Sequence, residues 1–167
     1  MKQKIGVISD THGYIDQGIL EFLDRCDEIW HAGDIGNPFI LRKLEELAPV
    51  RAVYGNIDGM DIRAECPWMQ AFDCKGLSVL MVHIGGKPGK YQQEALEHIR
   101  QKKPGLFICG HSHILKIQYD KQHGMLFVNP GAAGKSGFHK VRTALRFEVE
   151  EKEIKNMEVY EIDPKKS

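Results

Sequence analysis

Residues that can bind metal ions recur along this chain just after short apolar runs. The runs cover 5–9, 28–32, 50–54, 78–82 and 106–109, and glycines accompany most of the polar residues that follow. All the candidate ligands offer nitrogen or oxygen and none is a thiol: Asp10, His12, Asp34, Asn56, His83, His111 and His113. This donor set favours Mn, Fe, Zn, Ni or Co, and it contains too much nitrogen for a pure Mg or Ca site.

The spacing of two of these pairs suggests two neighbouring ions. Asp10 and His12 are two residues apart, as are His111 and His113. In extended backbone such residues face the same side, and the step covers about 6.6 Å. Metals in two-metal sites lie about 3.5–4 Å apart. We therefore expect His111 and His113 to contact one ion each.

Each motif taken alone has an ordinary structural explanation. Asp-Thr-His-Gly at 10–13 is typical of a helix N-cap and turn, and Gly-Asp at 33–34 and Gly-Asn at 55–56 are typical of turns. His83 alone could be a hydrogen-bonded histidine at a strand end. The combination of all these motifs, each at a strand end in one short chain, favours a common site.

The elements that must position these residues alternate between strand and helix in the first half of the chain. Helical spacing covers 15–26, 38–47 and 91–102, a hairpin is predicted for 69–82, and antiparallel strands for 143–149 and 154–162. We predict one α/β domain over 1–167, with two mixed sheets packed together, helices outside and a frayed tail over 163–167. In open α/β sheets, ligands bind beyond the carboxyl ends of the strands.

Composition limits the classes of partner. Lysine plus arginine number 23, and so do aspartate plus glutamate, which argues against a broad nucleic-acid or membrane surface. The four cysteines lack C-x-x-C spacing, the start lacks the pattern of a signal peptide, and no apolar run approaches the roughly 20 residues of a membrane span. We expect a reduced, cytoplasmic protein.

The ordered motifs D-T-H-G, G-D, G-N-x-D, a histidine after an apolar strand, and G-H-S-H resemble the calcineurin-like metallophosphoesterase superfamily. The similarity is to its small single-domain group, the YfcE-like and Vps29-like proteins, and covers about residues 4–150. It implies a four-layer αββα sandwich. It also implies that Asp34 bridges two ions, one held with Asp10, His12 and His113 and the other with Asn56, His83 and His111.

The resemblance implies a metal-dependent phosphoesterase, with phosphodiesterase as the first expectation and two divalent ions, manganese before Fe, Ni, Zn or Co, as cofactors. A hydroxide between the ions would attack phosphorus, with Asp34, Asn56 and His12 as catalytic residues. The expected substrate is a small phosphate ester, such as a nucleotide-type diester. A non-catalytic Vps29-like interaction scaffold, a nucleotide-binding module without turnover, and a homo-oligomer remain open.

One position departs from the pattern of larger family members. Ile57 stands where they have a histidine to which protonation of the leaving group is attributed. Losing a general acid typically slows a reaction by about 10²–10⁴-fold, so we expect a preference for good leaving groups.

Several other residues have two interpretations each. His31 and Asp58 either support the ligands or are an ordinary buried histidine and a turn residue. Lys135 or His139 is a candidate for contact with substrate. The glycine- and lysine-rich segment 85–90 is expected to be a flexible loop at the mouth of the site.

Overall fold

The structure is a computed structural model that describes residues 1–163, so 164–167 of the predicted tail lie outside the described residues. Two five-stranded sheets pack face to face, and helices cover their outer surfaces. The predicted α/β fold with two mixed sheets in a sandwich flanked by helices is confirmed.

The first sheet has a parallel half and an antiparallel half. The strands β1, β2 and β3 are parallel neighbours, whereas β11 pairs antiparallel with β1, and β12 with β11. The order across the sheet is β12-β11-β1-β2-β3. The strands are β1 (Lys2–Ile8), β2 (Glu28–His31), β3 (Val50–Ala52), β11 (Arg142–Glu150) and β12 (Glu153–Ile162).

The second sheet is also mixed, in the order β4-β5-β8-β10-β9. Its three central strands β5, β8 and β10 are parallel, and antiparallel strands lie at both edges. The predicted hairpin is present, with Lys75 and Gly76 both at positive φ, as a tight two-residue turn requires. The strands are β4 (Met69–Cys74), β5 (Leu77–Val82), β8 (Leu106–Ile108), β9 (Leu115–Asp120) and β10 (Met125–Pro130).

The helices are short and begin at recognisable caps. Asp16 accepts a hydrogen bond from the Ile19 N–H at the start of α1, and Asn37 caps α2, whose first residue is a proline. The helices are α1 (Gln17–Leu23), α2 (Pro38–Glu45), α3 (Met60–Glu65) and α4 (Gln93–Lys102).

Three apolar layers hold the sandwich together. The central layer lies between the sheets and includes Val7, Trp30 and Phe147 from the first and Met81 and Ile108 from the second. A second layer joins the first sheet to α1, α2 and α3, and a third joins the second sheet to α4. Because both faces of each sheet are covered, β8 is entirely apolar and buried, and so are β5 apart from Ser78 and the half of β1 that runs from Ile5 to Ile8.

Two segments differ from the sequence predictions. The helix α3 was not predicted, because it has only six residues and its N-cap, Gly59, makes no side-chain cap. The segment 85–90 was expected to be a loop, but Gly86–Lys87 (β6) pairs with Lys90–Tyr91 (β7) in a small ribbon.

Among the described residues, no helix has the length and apolar character to cross a membrane.

Candidate metal centre

Two groups of potential metal ligands form where the two sheets meet, just beyond the ends of β1, β2, β5 and β8. Asp10, His12 and His113 form one group, and in each group the ligand atoms lie within 4.8 Å of one another. The other group comprises Asp34, His83 and His111. The structure therefore brings six of the seven candidate ligands together, and their role as ligands remains a prediction.

The two carboxylates lie between the imidazoles of both groups. The Oδ2 atom of Asp34 is 3.4 Å from Nε2 of His12 and 3.2 Å from Nε2 of His83. The Oδ1 atom of Asp10 is 3.2 Å from Nε2 of His113 and 3.8 Å from Nε2 of both His12 and His83. Both carboxylates therefore face imidazoles of both groups, and Asp34 makes the closer approach to His12 and His83.

Polar atoms without partners identify where an ion would fit. Within residues 1–163, Asp10 Oδ1, His12 Nε2 and His83 Nε2 are buried and make no hydrogen bond. Buried polar atoms are normally hydrogen-bonded, so such a group requires an explanation. Carboxylate oxygens and imidazole nitrogens that converge without bonding one another are a suitable donor set for a divalent transition-metal ion.

Asn56, the seventh candidate, is exposed. Its two chain neighbours both contact Asp34. The Ile57 N–H donates to Asp34 Oδ1 at 3.1 Å, and the backbone of Gly55 packs directly against the same carboxylate. The loop that carries Asn56 is therefore anchored to Asp34.

The backbone at the candidate ligands is not extended, so that part of the spacing argument is wrong. Asp10, His12, Asp34, His111 and His113 all have positive φ, between 46° and 74°. Non-glycine residues rarely adopt this left-handed region, and they concentrate at functional sites. The side chains of His111 and His113 nevertheless belong to different groups of potential ligands, and the binding of one ion by each remains a prediction.

Backbone hydrogen bonds hold these strained loops together. The loop after β1 bonds to the loop after β2 through Asp10 N–H to Gly33 O and His12 N–H to Asp34 O, at 2.9 and 3.0 Å. The Gly110 N–H donates to His83 O at 2.9 Å, which connects the loops after β5 and β8.

Glycines allow these loops to approach the carboxylates. A Cβ at Gly55 would lie 2.1 Å from Asp34 Oδ1, and one at Gly110 would lie 2.7 Å from Asp10 Oδ2. Real Cβ atoms do not come so close, so only glycine fits at these positions without a shift of the neighbouring residues.

Backbone carbonyls and one further histidine fix the orientation of two ligand imidazoles. His83 Nδ1 lies 2.8 Å from Ala32 O, so it carries the proton and leaves Nε2 free to face Asp34. His139 Nε2 lies 2.8 Å from Gly134 O and must donate to it. In the neutral ring, His139 Nδ1 then accepts from His113 Nδ1 at 3.2 Å, which leaves His113 Nε2 free for a metal. His139 is thus a positioning residue for His113.

The carboxylates and imidazoles of the site shift one another's pKa values. Burial alone would raise the pKa of Asp10, but the His113 and His12 imidazoles hold it far below its usual range. The carboxylate of Asp10 raises the pKa of His12. Burial opposes a charge on His83, yet Asp34 raises the pKa of that imidazole overall. A metal has to displace these imidazole protons, so its affinity should fall as the pH falls.

His31 and Asp58 both support the loops that carry the candidate ligands. His31 is fully buried, its Nδ1 accepts from the Gly33 N–H at 3.1 Å, and its Nε2 therefore donates to Thr11 Oγ1 at 3.0 Å. Burial lowers the pKa of His31 to about 4, so the ring is neutral. Asp58 accepts from the N–H groups of Ile35, Gly36 and Gly55, and so joins the loops after β2 and β3.

Lys135, the other candidate for substrate contact, has different surroundings from His139. Lys135 is exposed, and its Nζ lies over the ring of Tyr14, 4.4 Å from the centroid. Lys135 is thus close to the loop after β1, and within residues 1–163 no hydrogen bond or ion pair joins it to a candidate ligand. Whether it contacts substrate remains a prediction.

Asn129 is a supporting residue that the sequence analysis did not identify. It is buried, its Nδ2 donates to Gly110 O and Ser112 Oγ, both at 3.0 Å, and its Oδ1 accepts from the Gly131 N–H. It therefore secures the loop between His111 and His113. The only signal in the sequence is an Asn-Pro-Gly turn after an apolar strand, which resembles many other turns.

This sandwich, with its nitrogen- and oxygen-rich centre at one edge, is the architecture of a metal-dependent phosphoesterase. The family model described as "Calcineurin-like phosphoesterase superfamily domain" matches residues 3–152. The chain belongs to the calcineurin-like phosphoesterase superfamily.

Curated relatives and solved structures agree with this assignment. A "Probable metallophosphoesterase" of Methanothermobacter thermautotrophicus is 32% identical over 133 residues, which cover 77% of this chain and 76% of the relative. One from Methanocaldococcus jannaschii is 30% identical over 134 residues, covering 77% and 67%.

Among solved structures, Vps29 from Entamoeba histolytica complexed with Zn²⁺ has a TM-score of 0.76 at 22% identity, covering 96% of this chain and 99% of that one. A structure described as a novel archaeal phosphodiesterase has a TM-score of 0.70 at 24% identity, with coverage of 96% and 99%. At these identities the two likenesses establish the fold.

Replacing Gly55 with alanine should disturb the position of Asp34. The added Cβ would lie 2.1 Å from Asp34 Oδ1, so the loop or the carboxylate has to move. We expect Gly55→Ala to weaken metal binding and to lower the free energy of unfolding by about 1–3 kcal/mol. Calorimetric metal titration and urea denaturation measure the two effects. Gly59→Ala is the matched control, because its Cβ would meet nothing closer than 3.6 Å; equal effects in both variants would contradict the argument.

Removing His139 should weaken the metal bound by Asp10, His12 and His113. Without its hydrogen bond, the His113 ring can rotate or change tautomer, and loss of such a partner typically costs about 10–100-fold in metal affinity. Titration of His139→Ala with Mn²⁺ or Co²⁺ measures this loss, and His139→Gln should restore part of it through its amide oxygen. His123→Ala removes a histidine that bonds Asp120 at the β9–β10 turn, and it should bind metal normally.

Proposed function

We propose that this protein is a phosphodiesterase with a dinuclear metal centre. The observation that carries the proposal is the position of Asp34 Oδ2 between His12 of one ligand group and His83 of the other. A single-ion site would need only one such group. Two adjacent groups, in which the carboxylate of one also faces an imidazole of the other, are the arrangement expected for two adjacent ions.

The ions would be held as the two groups suggest. Asp10, His12, Asp34 and His113 would bind one ion, and the other ion would be bound by Asp34, Asn56, His83 and His111. When bound, two divalent ions supply Lewis acidity toward phosphoryl oxygens and lower the pKa of water. The mixed nitrogen and oxygen donors support manganese as the first choice.

The chain itself contributes electrostatics and access. Asn56 is a neutral side chain, so the second ion would keep more of its positive charge for the substrate. His111 and Asn56 are exposed, whereas Asp10 and Asp34 are buried. A phosphate ester can therefore approach from the side of His111 and Asn56 while the carboxylates stay shielded from water. Binding at such a shielded site strengthens the electrostatic stabilisation of developing charge.

Diester hydrolysis is the preferred activity within this class. The solved archaeal protein of the same fold is described as a phosphodiesterase, which supports this choice. A diester carries less negative charge than a monoester and therefore needs less compensating positive charge. Lys135, a cation described near the site, already lies over the ring of Tyr14. A nucleotide-type diester is the substrate class that we propose.

A second candidate function is a protein-interaction scaffold. It is favoured by the fold likeness to Vps29 proteins, one of which was solved with Zn²⁺. A scaffold, however, does not require buried, unpartnered ligand atoms such as those of Asp10, His12 and His83. We therefore rank hydrolysis first.

Substitution of the bridging carboxylate tests the proposed activity. Purified protein with added Mn²⁺ should hydrolyse bis-p-nitrophenyl phosphate. Asp34→Asn and His111→Ala should lower kcat by about 100-fold or more, because each removes a ligand whose loss mispositions an ion. Nitrophenolate release measures the rate, and metal content is measured in the same samples.

Asp73→Asn, in the exposed β4–β5 turn, is the control and should keep full activity. Circular dichroism melting separates loss of fold from loss of activity. A metal-loaded wild-type protein without hydrolysis of any diester would contradict the proposal, and a stable partner that still binds Asp34→Asn would favour the scaffold.

The absence of a histidine at position 57 should appear in the leaving-group dependence. Wild-type rates should fall steeply as the pKa of the leaving alcohol rises. Ile57 is 47% exposed and contacts Asp34 through its backbone, so Ile57→His should be tolerated. We expect this variant to accelerate esters with poor leaving groups by up to about 10²-fold and to change p-nitrophenyl esters little. Ile57→Gln is the non-titrating control. If the rates of both variants depended equally on the pKa of the leaving alcohol, the prediction would be contradicted.

A further inference from the structure

A large cavity opens directly beside two of the candidate ligands. It has a volume of about 790 Å³ and is walled by His111, His113, Ile114, the segment 137–141 and Glu161. Pockets that bind small organic molecules commonly measure about 300–1,000 Å³. The cavity therefore has room for an organic group next to a phosphate at the metal centre.

The wall of this cavity exposes apolar side chains. Phe138 is completely exposed, and Ile114 and Val141 are 66% and 41% exposed. All three belong to the same concave wall. Grouped apolar side chains that remain exposed in a concave surface mark a binding site rather than part of the core.

The position of Phe138 is tied to the metal centre by both of its neighbours. A Cβ on Gly137 would lie 2.4 Å from His113 Nδ1, so the backbone at 137 packs directly on that ligand. On the other side, His139 shares a hydrogen bond with the same imidazole. The backbone on both sides of Phe138 is thus anchored to His113, and the phenyl ring is left uncovered.

The charges in the wall favour an uncharged occupant. Besides the histidines, the wall contains one cation, Lys140, and one anion, Glu161. Their charges oppose each other, so nothing in the wall favours a second phosphate group. Apolar contact with a flat, uncharged group is the interaction that the wall offers.

We propose that this cavity binds a planar aromatic group of the substrate, an aryl ring or nucleobase, and that Phe138 stacks on it. The inference rests on the proposed function, because a phosphate at the metal centre is what brings the attached group into the cavity. Aromatic rings stack favourably on one another, and an aromatic side chain can stack on any of the nucleobases.

Phosphonates test this inference, since a phosphoesterase cannot hydrolyse them. Calorimetry on the full-length, Mn²⁺-loaded protein compares phenylphosphonate, cyclohexylphosphonate and methylphosphonate. Wild type should bind phenylphosphonate most tightly. Phe138→Ala should weaken phenylphosphonate about tenfold and leave methylphosphonate unchanged, and Phe138→Tyr should retain the preference for phenyl.

Tyr119→Ala is the matched control, because Tyr119 is an exposed aromatic residue on β9, beyond the cavity wall. An unchanged ratio of phenyl to methyl affinity in Phe138→Ala would overturn the inference. Equal affinity for cyclohexylphosphonate and phenylphosphonate would overturn it as well, since an apolar chain would then suffice.

Hydrolysis of bis-p-nitrophenyl phosphate by the same preparation separates this inference from the proposed function. If the protein hydrolyses the diester but Phe138→Ala does not change phosphonate binding, the aromatic site is overturned and the proposed function is not. Binding that depends on Phe138, in a protein without hydrolysis, supports the aromatic site and counts against the proposed enzyme.

Discussion

The carboxylates of Asp10 and Asp34 are buried between the same imidazoles, where an ionised carboxylate loses most of its hydration. A buried charge is tolerated only when cations or hydrogen-bond donors compensate for it. Ser9 and the His111 N–H supply donors to Asp10 Oδ2, and the Ile57 N–H supplies one to Asp34 Oδ1. The other oxygen of each carboxylate faces imidazole nitrogens. The arrangement of the surrounding loops follows from this need for compensation.

The loops meet that need by adopting backbone conformations that are unfavourable on their own. Positive φ at a non-glycine residue costs of the order of 1 kcal/mol, and five candidate ligands have it. Hydrogen bonds between loops compensate, because Gly33 O and Asp34 O accept from the loop after β1, and Ser9 O accepts from the Ala133 N–H. The parallel strands beneath fix the loop ends, so that the strain is distributed over a rigid support. Flexible loops with the same side chains would not hold the carboxylates buried.

The sequence predicted the strands of the two large sheets and the two-sheet fold, since these depend on residue type and chain order. The division of the candidate ligands between two ions came from the family resemblance and remains a prediction. The sequence did not predict the left-handed backbone at Asp10 and His113, because that conformation arises from contacts between loops. His139 and Asn129 act on residues 26 and 19 positions away, through hydrogen bonds that only the folded chain brings together. Asp58 lies within a recognisable motif, yet its three backbone partners on two loops depend on how β2 and β3 pair.

Metal binding and folding are coupled in such a site. The two carboxylates raise the pKa values of the His12 and His83 imidazoles, and Asp10 Oδ1 has no hydrogen-bond partner in residues 1–163. A bound ion would take the place of the imidazole protons and would present a charge that every converging atom can contact. Ligands that bind only the folded state stabilise it by mass action. The same unpartnered atoms that would draw the ion therefore leave the metal-free loops less stable, so the metal is expected to contribute to the structure as well as to the chemistry.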